Sequence, residues 1–457
     1  MRAPKRHFAA SALAALCLGA PAWAQDAPAP APAATPTTEP ADAPAESPAK
    51  APEGKADSGS GTDILGLDTF SILLDARLVA ADGHLSWAKG GLGKTRFSGT
   101  ANGDMKVKAL PMEADLIWQP RFTSTLTGDV SAAWQRDQEN DVDLIEGFVT
   151  WLPPRKGTTG ISAKAGLYWP EISLEHATGG AWSTVYTITP SAINAWVGEE
   201  VKVIGAEATV YQSIGNHEFS ATGGLFGFND TSGTLLSFRG WALHDAKATA
   251  FGHFPLPPLN SFLTHAQEHR TRSLFEIDDK VGYYLRFEWK PPQPLALNVF
   301  YYDNMGDPEA FSKTLQWGWR TRFVNVGLSA DIGPNTRLLM QGMSGATQMG
   351  FKTNGVVWVH TKFRSAYVLI SQTVGKVTLS GRIEAFGTRE HGSEMSHLES
   401  EDGWAITAAG RMAITNRLTG FVEVLHVDSA RGVRSVNLGI PEREAQTVLQ
   451  AALRLRL

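Results

Sequence analysis

Cysteine is nearly absent: the single Cys17 among 457 residues lies in the N-terminal apolar stretch. A fold stapled by disulfides is therefore excluded. After residue 24, no uninterrupted apolar run approaches the roughly 18–20 residues that a membrane-spanning helix needs. Basic charge is also scarce. The 41 Lys and Arg stand against 46 Asp and Glu, a formal charge of −5 that falls to about −8 without Arg2, Lys5 and Arg6. A nucleic-acid binder carries the opposite excess. No phosphate loop or dinucleotide fingerprint occurs, and the glycines are scattered. There is no G-x-S-x-G either, since Gly342-Met343-Ser344-Gly345 lacks the final spacing. His265, Glu268 and His269 match the inverted zinc pattern H-x-x-E-H, with Asn260 placed to cap a helix. They lie in a long polar segment with no third ligand, so they read as surface residues of a loop helix. No metal, cofactor or catalytic residue is expected.

What is present divides the chain in three. Residues 1–24 have the form of a secretory signal: a basic start, an apolar stretch from Phe8 to Ala20, and Ala22-Trp23-Ala24 as a cleavage site. Residues 25–63 alternate Ala and Pro and hold no large apolar side chain. Such a tract cannot bury a core; it reads as a disordered periplasmic spacer, with a contact to the cell wall as the sharper reading.

Residues 64–457 are dominated by period-two alternation, the mark of β-strands. Leu449, Ala451, Leu453, Leu455 and Leu457 alternate with Gln450, Arg454 and Arg456. Tyr283, Leu285, Phe287 and Trp289 alternate with Arg286, Glu288 and Lys290. Tight turns such as Pro291-Pro292-Gln293-Pro294 and Gly333-Pro334-Asn335 alternate with longer polar stretches. Short turns on one side and long loops on the other are the pattern of an outer-membrane barrel, whose apolar face meets lipid. Strand starts near Phe70, Met105, Ser124, Val142, Ile161, Glu200, His217, Val281, Leu295, Gln316, Thr336, Gly355, Lys376, Gly403, Thr419 and Arg443 give about 16 antiparallel strands. Trp118, Trp151 and Trp289 fall beside proposed periplasmic turns and Trp134 and Trp169 near the opposite ends, as two interfacial girdles require.

Five stretches, 163–175 (AKAGLYWPEISLE), 239–245 (RGWALHD), 281–289 (VGYYLRFEW), 301–304 (YYDN) and 320–328 (RTRFVNVGL), resemble bacterial outer-membrane porins, most nearly the phosphate-selective porin-like family of sixteen-stranded barrels. The resemblance is diffuse and runs along most of the barrel. It implies a homotrimeric channel with a constriction made by inward-folded loops. The family's phosphate-binding residues do not map onto positions here.

Taking the polar face of each strand as the lumen gives two arcs of opposite sign. The acidic arc holds Asp75, Glu113, Asp115, Asp129, Glu146 and Glu207. The basic arc holds Arg286, Lys290, Arg320, Arg322, Lys362, Arg364, Arg382, Arg411, Arg454 and Arg456. Keeping both Arg320 and Arg322 inward requires a bulge near Phe323 and Val324. Segment 170–198, in third-loop position, is the expected constriction, with Glu171, Glu175, Trp182 and Tyr186 as its candidates. Segment 229–280 is expected to cap the barrel outside or to make a trimer contact. The function expected is passive diffusion of small hydrophilic solutes, with an anion or phosphate preference from the basic arc. Two alternatives stay open: a barrel enzyme acting on lipid, and a plugged barrel anchoring the membrane to the cell wall. The expected partners are outer-membrane lipid, other copies of the chain and the solutes.

Overall fold

Sixteen antiparallel strands pair in chain order and close on themselves in the computed structural model, which describes residues 62–177 and 181–457. The leader 1–24 lies outside the described residues, as does all of the spacer but Thr62 and Asp63. The strands are β1 Phe70–Ala81, β2 Lys106–Trp118, β3 Leu126–Gln135, β4 Asp143–Trp151, β5 Thr159–Tyr168, β6 Val203–Ile214, β7 His217–Gly227 and β8 Gly282–Lys290. They continue as β9 Leu295–Asp303, β10 Arg320–Asp331, β11 Thr336–Thr353, β12 Val356–Val374, β13 Val377–Glu390, β14 Glu401–Ala413, β15 Leu418–Arg431 and β16 Arg443–Arg456. All sixteen begin within four residues of the positions expected from alternation. β16 closes the ring on β1, Arg77 opposite Ala452. The last residue takes part: Ile72 and Leu457 exchange backbone hydrogen bonds of 3.0 and 2.9 Å.

Alternation in sequence becomes alternation across the wall. In β1, Leu73, Asp75, Arg77 and Val79 are buried inside, while Ile72, Leu74 and Leu78 are exposed outside. The same holds for Leu285 and Phe287 in β8, Val324 and Val326 in β10, Ile370 in β12, and Val422 and Val424 in β15. These outward side chains form the apolar belt of a transmembrane barrel. Among the described residues no helix is long and apolar enough to cross a membrane; the strands do the crossing.

Connections at one end are short, down to residues 215–216 and 375–376, and those at the other run to 169–202 and 228–281. One connection breaks the rule. Asn354-Gly355 joins the two longest strands, with φ of 52° and 81°. Both residues adopt the left-handed backbone of a type I′ hairpin, and β11 and β12 run on past the paired ends of β10 and β13, where loops 304–319 and 391–400 pack against them. Trp118, Trp151 and Trp289 lie at the short-turn end as expected. Trp169 does not join the opposite girdle; it is buried inside, stacked on Trp182.

Candidate functional site

Three loops turn into the barrel and fill its loop end. The first, 82–105, brings in Lys94, which donates to the Arg239 carbonyl at 3.0 Å, and Arg96, which reaches Asp245 at 3.1 Å. The second, 169–202, crosses the lumen to the far wall and carries helix α1, Ala192–Glu200, whose every residue is buried. The third, 228–281, carries the short helix α2, Thr234–Phe238, also wholly buried. Residues 229–250 of this segment therefore fill the lumen, where an outer cap or trimer contact was expected, whereas 251–280 are mostly half-buried or exposed at the loop end. The physical reason is apolar: Leu235, Leu236, Phe238 and Trp241 are at most 3% exposed, and only the inside of the barrel offers them cover.

Charge fixes where the loops sit. Arg382 on β13 donates to Glu175 at 2.8 Å, Glu384 at 2.9 Å and the Thr189 and Pro190 carbonyls at 2.9 and 3.1 Å. Glu384 accepts the Ala192 N–H at 2.7 Å, and Glu423 on β15 accepts those of Ile188 and Thr189 at 2.6 and 3.0 Å. Two wall carboxylates thus satisfy amides at and before the start of α1, which a helix leaves unpaired. Ser191 caps the same end with its hydroxyl. At the other end of α1, Arg239 grips Glu199 through two bonds of 2.8 and 2.6 Å, and Glu200 accepts the Leu235 N–H at 2.9 Å. Burial raises Glu199, but Arg239 and His244 outweigh it and hold the carboxyl down at about 2. Trp196 of α1 meets Trp241, Phe323 and Phe363 at 6.0, 5.4 and 5.2 Å, so an aromatic core occupies mid-lumen.

A cavity of about 700 Å³ lies at the short-turn end, bounded by short-turn residues such as Arg121 and Arg155 and by β3–β8. Its roof is a stack: Trp182 lies 4.6 Å from Trp169 and 4.3 Å from the His176 ring. Burial pushes the His176 imidazole down to about 3, so it is uncharged near neutral pH. The walls carry both signs in pairs: Lys164 with Glu207 at 2.9 Å, Lys290 with Glu288 at 3.0 Å, and Arg286 with Glu171 at 3.4 Å.

The acidic candidates all face inward, but only Asp129 and Glu207 reach this cavity. Asp75 is sealed between Arg77 and Arg454 at 2.8 and 3.1 Å, Glu113 binds Lys247, and Asp115 and Glu146 are buried. Of the basic candidates, Arg286 and Lys290 line the cavity. Arg382 is locked under the second loop, Arg454 donates to the Thr184 carbonyl at 2.9 Å, and Arg411 and Arg456 share the inward parity at the short-turn end. Arg320, Arg322, Lys362 and Arg364 are a correction: they lie on the outer face. β10 keeps unbroken register with both neighbours, so no bulge rescues the arginines, and Thr321 and Phe323 point inward instead. In β12, Thr361, Phe363 and Ser365 take the inside and leave Lys362 and Arg364 outside. Of the loop candidates, Glu171 and Trp182 line the cavity, whereas Glu175 and Tyr186 are buried away from it.

The discarded enzyme patterns resolve as well. The helix bearing His265 ends at Ala266, Gln267 is extended, and Glu268 binds Arg270 at 3.0 Å, so His265 and His269 do not share a helical turn. His426 faces outward with Thr447 at 3.0 Å.

No protein-family model and no curated protein matches the chain. Solved structures do. The outer membrane channel DcaP of Acinetobacter baumannii is 7% identical, with a TM-score of 0.51 over 88% of this chain and 99% of that one. A loop L8 deletion mutant of OmpT, an outer membrane protein of Vibrio cholerae, is 10% identical, with a TM-score of 0.50 over 85% and 98%. An anion-selective porin from Comamonas acidovorans is 10% identical, with a TM-score of 0.47 over 85% and 99%. The fold of this chain is that of an outer-membrane β-barrel, closed and antiparallel with sixteen strands.

Proposed function

We propose that the protein is an outer-membrane porin, a narrow water-filled passage for the passive diffusion of small hydrophilic solutes. The observation that carries this is the charged cavity of about 700 Å³ inside a barrel whose outer belt is apolar. Paired charges along its walls hold water and offer both signs to a polar solute, while an apolar solute gains nothing there. Four of the ten basic candidates lie outside, and Arg286, Lys290, Arg382 and Arg454 already contact carboxylates. The anion or phosphate preference that belongs to this reading is therefore slight. Liposome swelling tests it: reconstituted protein should admit monosaccharides faster than oligosaccharides, and swelling no faster than protein-free liposomes would contradict it.

A homotrimer is part of the same proposal. It is supported by an apolar recess of about 940 Å³ on the outer wall across β13–β16, β1 and β2, shaped by Ala76, Ala109, Gly410 and Gly420. Crosslinking in intact membranes should stop at three protomers; monomer alone would remove it.

A second reading has its own observation. The loop end is packed with Trp196, Trp241 and Leu236, each at most 1% exposed, and a barrel so filled suits a plugged structural anchor. Swelling separates the two, since a plugged barrel admits no solute.

A further inference from the structure

Four cations that face away from the lumen need an account. Cross-strand register aligns Arg322 of β10, Ala346 of β11, Lys362 of β12 and Arg389 of β13 in one row. Arg364 lies one outward row below, opposite Ser344, and Arg320 one row above, opposite Gln348. Arg320 is paired with Asp303 at 3.1 Å and Arg389 with Asp402 at 2.8 Å. Among the described residues, no carboxylate lies within ion-pair distance of Arg322, Lys362 or Arg364. Arg320, Arg322, Ala346 and Gln348 enclose a recess of about 190 Å³ on this outer wall.

Their height on the wall is telling. Arg364 is ten positions along β12 from Val374 at the short-turn end, about 33 Å of strand or roughly 25 Å of height after tilt, which is the height of a barrel's apolar belt. Ile370 and Val368 occupy the outer face below it. Tyr301 shares the row of Val324 and Arg364, and Tyr283 lies beside Asp303 in the row of Arg322. Interfacial aromatics and unpaired cations thus meet at the loop-side edge of the apolar belt. At that level an unpaired charge is costly against acyl chains and favourable against an anionic headgroup.

We propose that this face binds the phosphorylated headgroup of an outer-leaflet glycolipid, a lipopolysaccharide-type lipid. Arg322, Lys362 and Arg364 hold the phosphate, and Val324, Val326 and Ile370 lie under the acyl chains. Guanidinium forks match phosphate oxygens in pairs, and lysine adds a point charge. The outward apolar side chains below supply the lipid contact that a free anion lacks. The proposal rests on the reading of the chain as an outer-membrane barrel.

The test uses the full barrel, folded in a neutral detergent, with native mass spectrometry reading retained lipid. Bisphosphorylated lipid A is the probe; its dephosphorylated form and inorganic phosphate are the controls. The intact protein should retain the bisphosphorylated lipid. Combining Arg322→Gln, Lys362→Gln and Arg364→Gln should weaken it by at least ~10-fold, as loss of several charge-assisted contacts implies. Conductance and heat-modifiable migration of that variant should be unchanged, since these residues lie outside the lumen, and this separates lost binding from lost folding. Should the triple variant misfold, Arg322→Gln with Lys362→Gln is the fallback, with the same expected direction. Undiminished binding by the variants, or equal retention of dephosphorylated lipid, would overturn the proposal. Displacement of the lipid by millimolar inorganic phosphate would reassign the recess to a free anion and overturn it too. So would a variant that dissociates to monomers while keeping the lipid, because the patch would then be a protomer interface. Lipid retention and conductance are independent readouts, so a barrel that binds lipid but does not conduct would sink the channel reading alone.

Discussion

Arg286 of β8 and Arg322 of β10 both sit in alternating strands, yet they end on opposite sides of the wall. Around Arg286 the parity is plain, because Tyr283, Leu285, Phe287 and Trp289 form an uninterrupted apolar set. Around Arg322 it is not. Phe323 and Val324 are both apolar, and Phe323 turns inward to meet Trp196 at 5.4 Å. Alternation alone does not say that the lumen contains an aromatic core, so the inward place of Phe323 was not legible. A selectivity measurement checks the parity. Arg286→Gln removes the cation between Glu171 and Glu288. Under a KCl gradient it should raise the cation-to-anion permeability ratio by about twofold, whereas Arg322→Gln should leave it unchanged. A shift with Arg322→Gln would place that residue back in the pore.

At the scale of elements, strands were legible and inward loops were not. A strand that faces lipid on one side and water or polar filling on the other alternates, and that pattern survives in isolation. Helix α1 has no such contrast, because it is buried on all sides. Helix α2 is five residues long, too short for a periodic face. Even the candidates within the second loop split by contacts that only folding defines. Glu171 looks into the cavity, and Glu175, four residues on, anchors the loop to Arg382. That anchor makes a stability prediction. Glu384→Ala takes one of two carboxylates from Arg382 and leaves the Ala192 N–H without its acceptor, and an unsatisfied buried group costs about 1–3 kcal/mol. The loss should appear as protease cleavage within 169–202 and a lower melting temperature, with strand content by circular dichroism retained. Resistance to protease equal to that of the intact protein would show that the carboxylate does not hold the loop.

Across the whole molecule, the missing apolar run and the fold are the same fact. Hydrophobic side chains are spread over every second position, so no window resembles a span, yet together they form a continuous outer belt. The modest net charge has a similar origin. Buried carboxylates meet their counter-ions close by: Asp75 meets Arg77 on its own strand, Glu199 of the second loop meets Arg239 of the third, and Glu113 of β2 meets Lys247 of the third loop. Whether the barrel conducts is the central claim, and single-channel recording in a planar bilayer addresses it most directly. Purified, heat-modifiable protein should insert in discrete, equal steps of small conductance, with a reversal potential near zero or slightly anion-selective under a KCl gradient. Insertion without any step in current would contradict the account and leave the plugged barrel in its place.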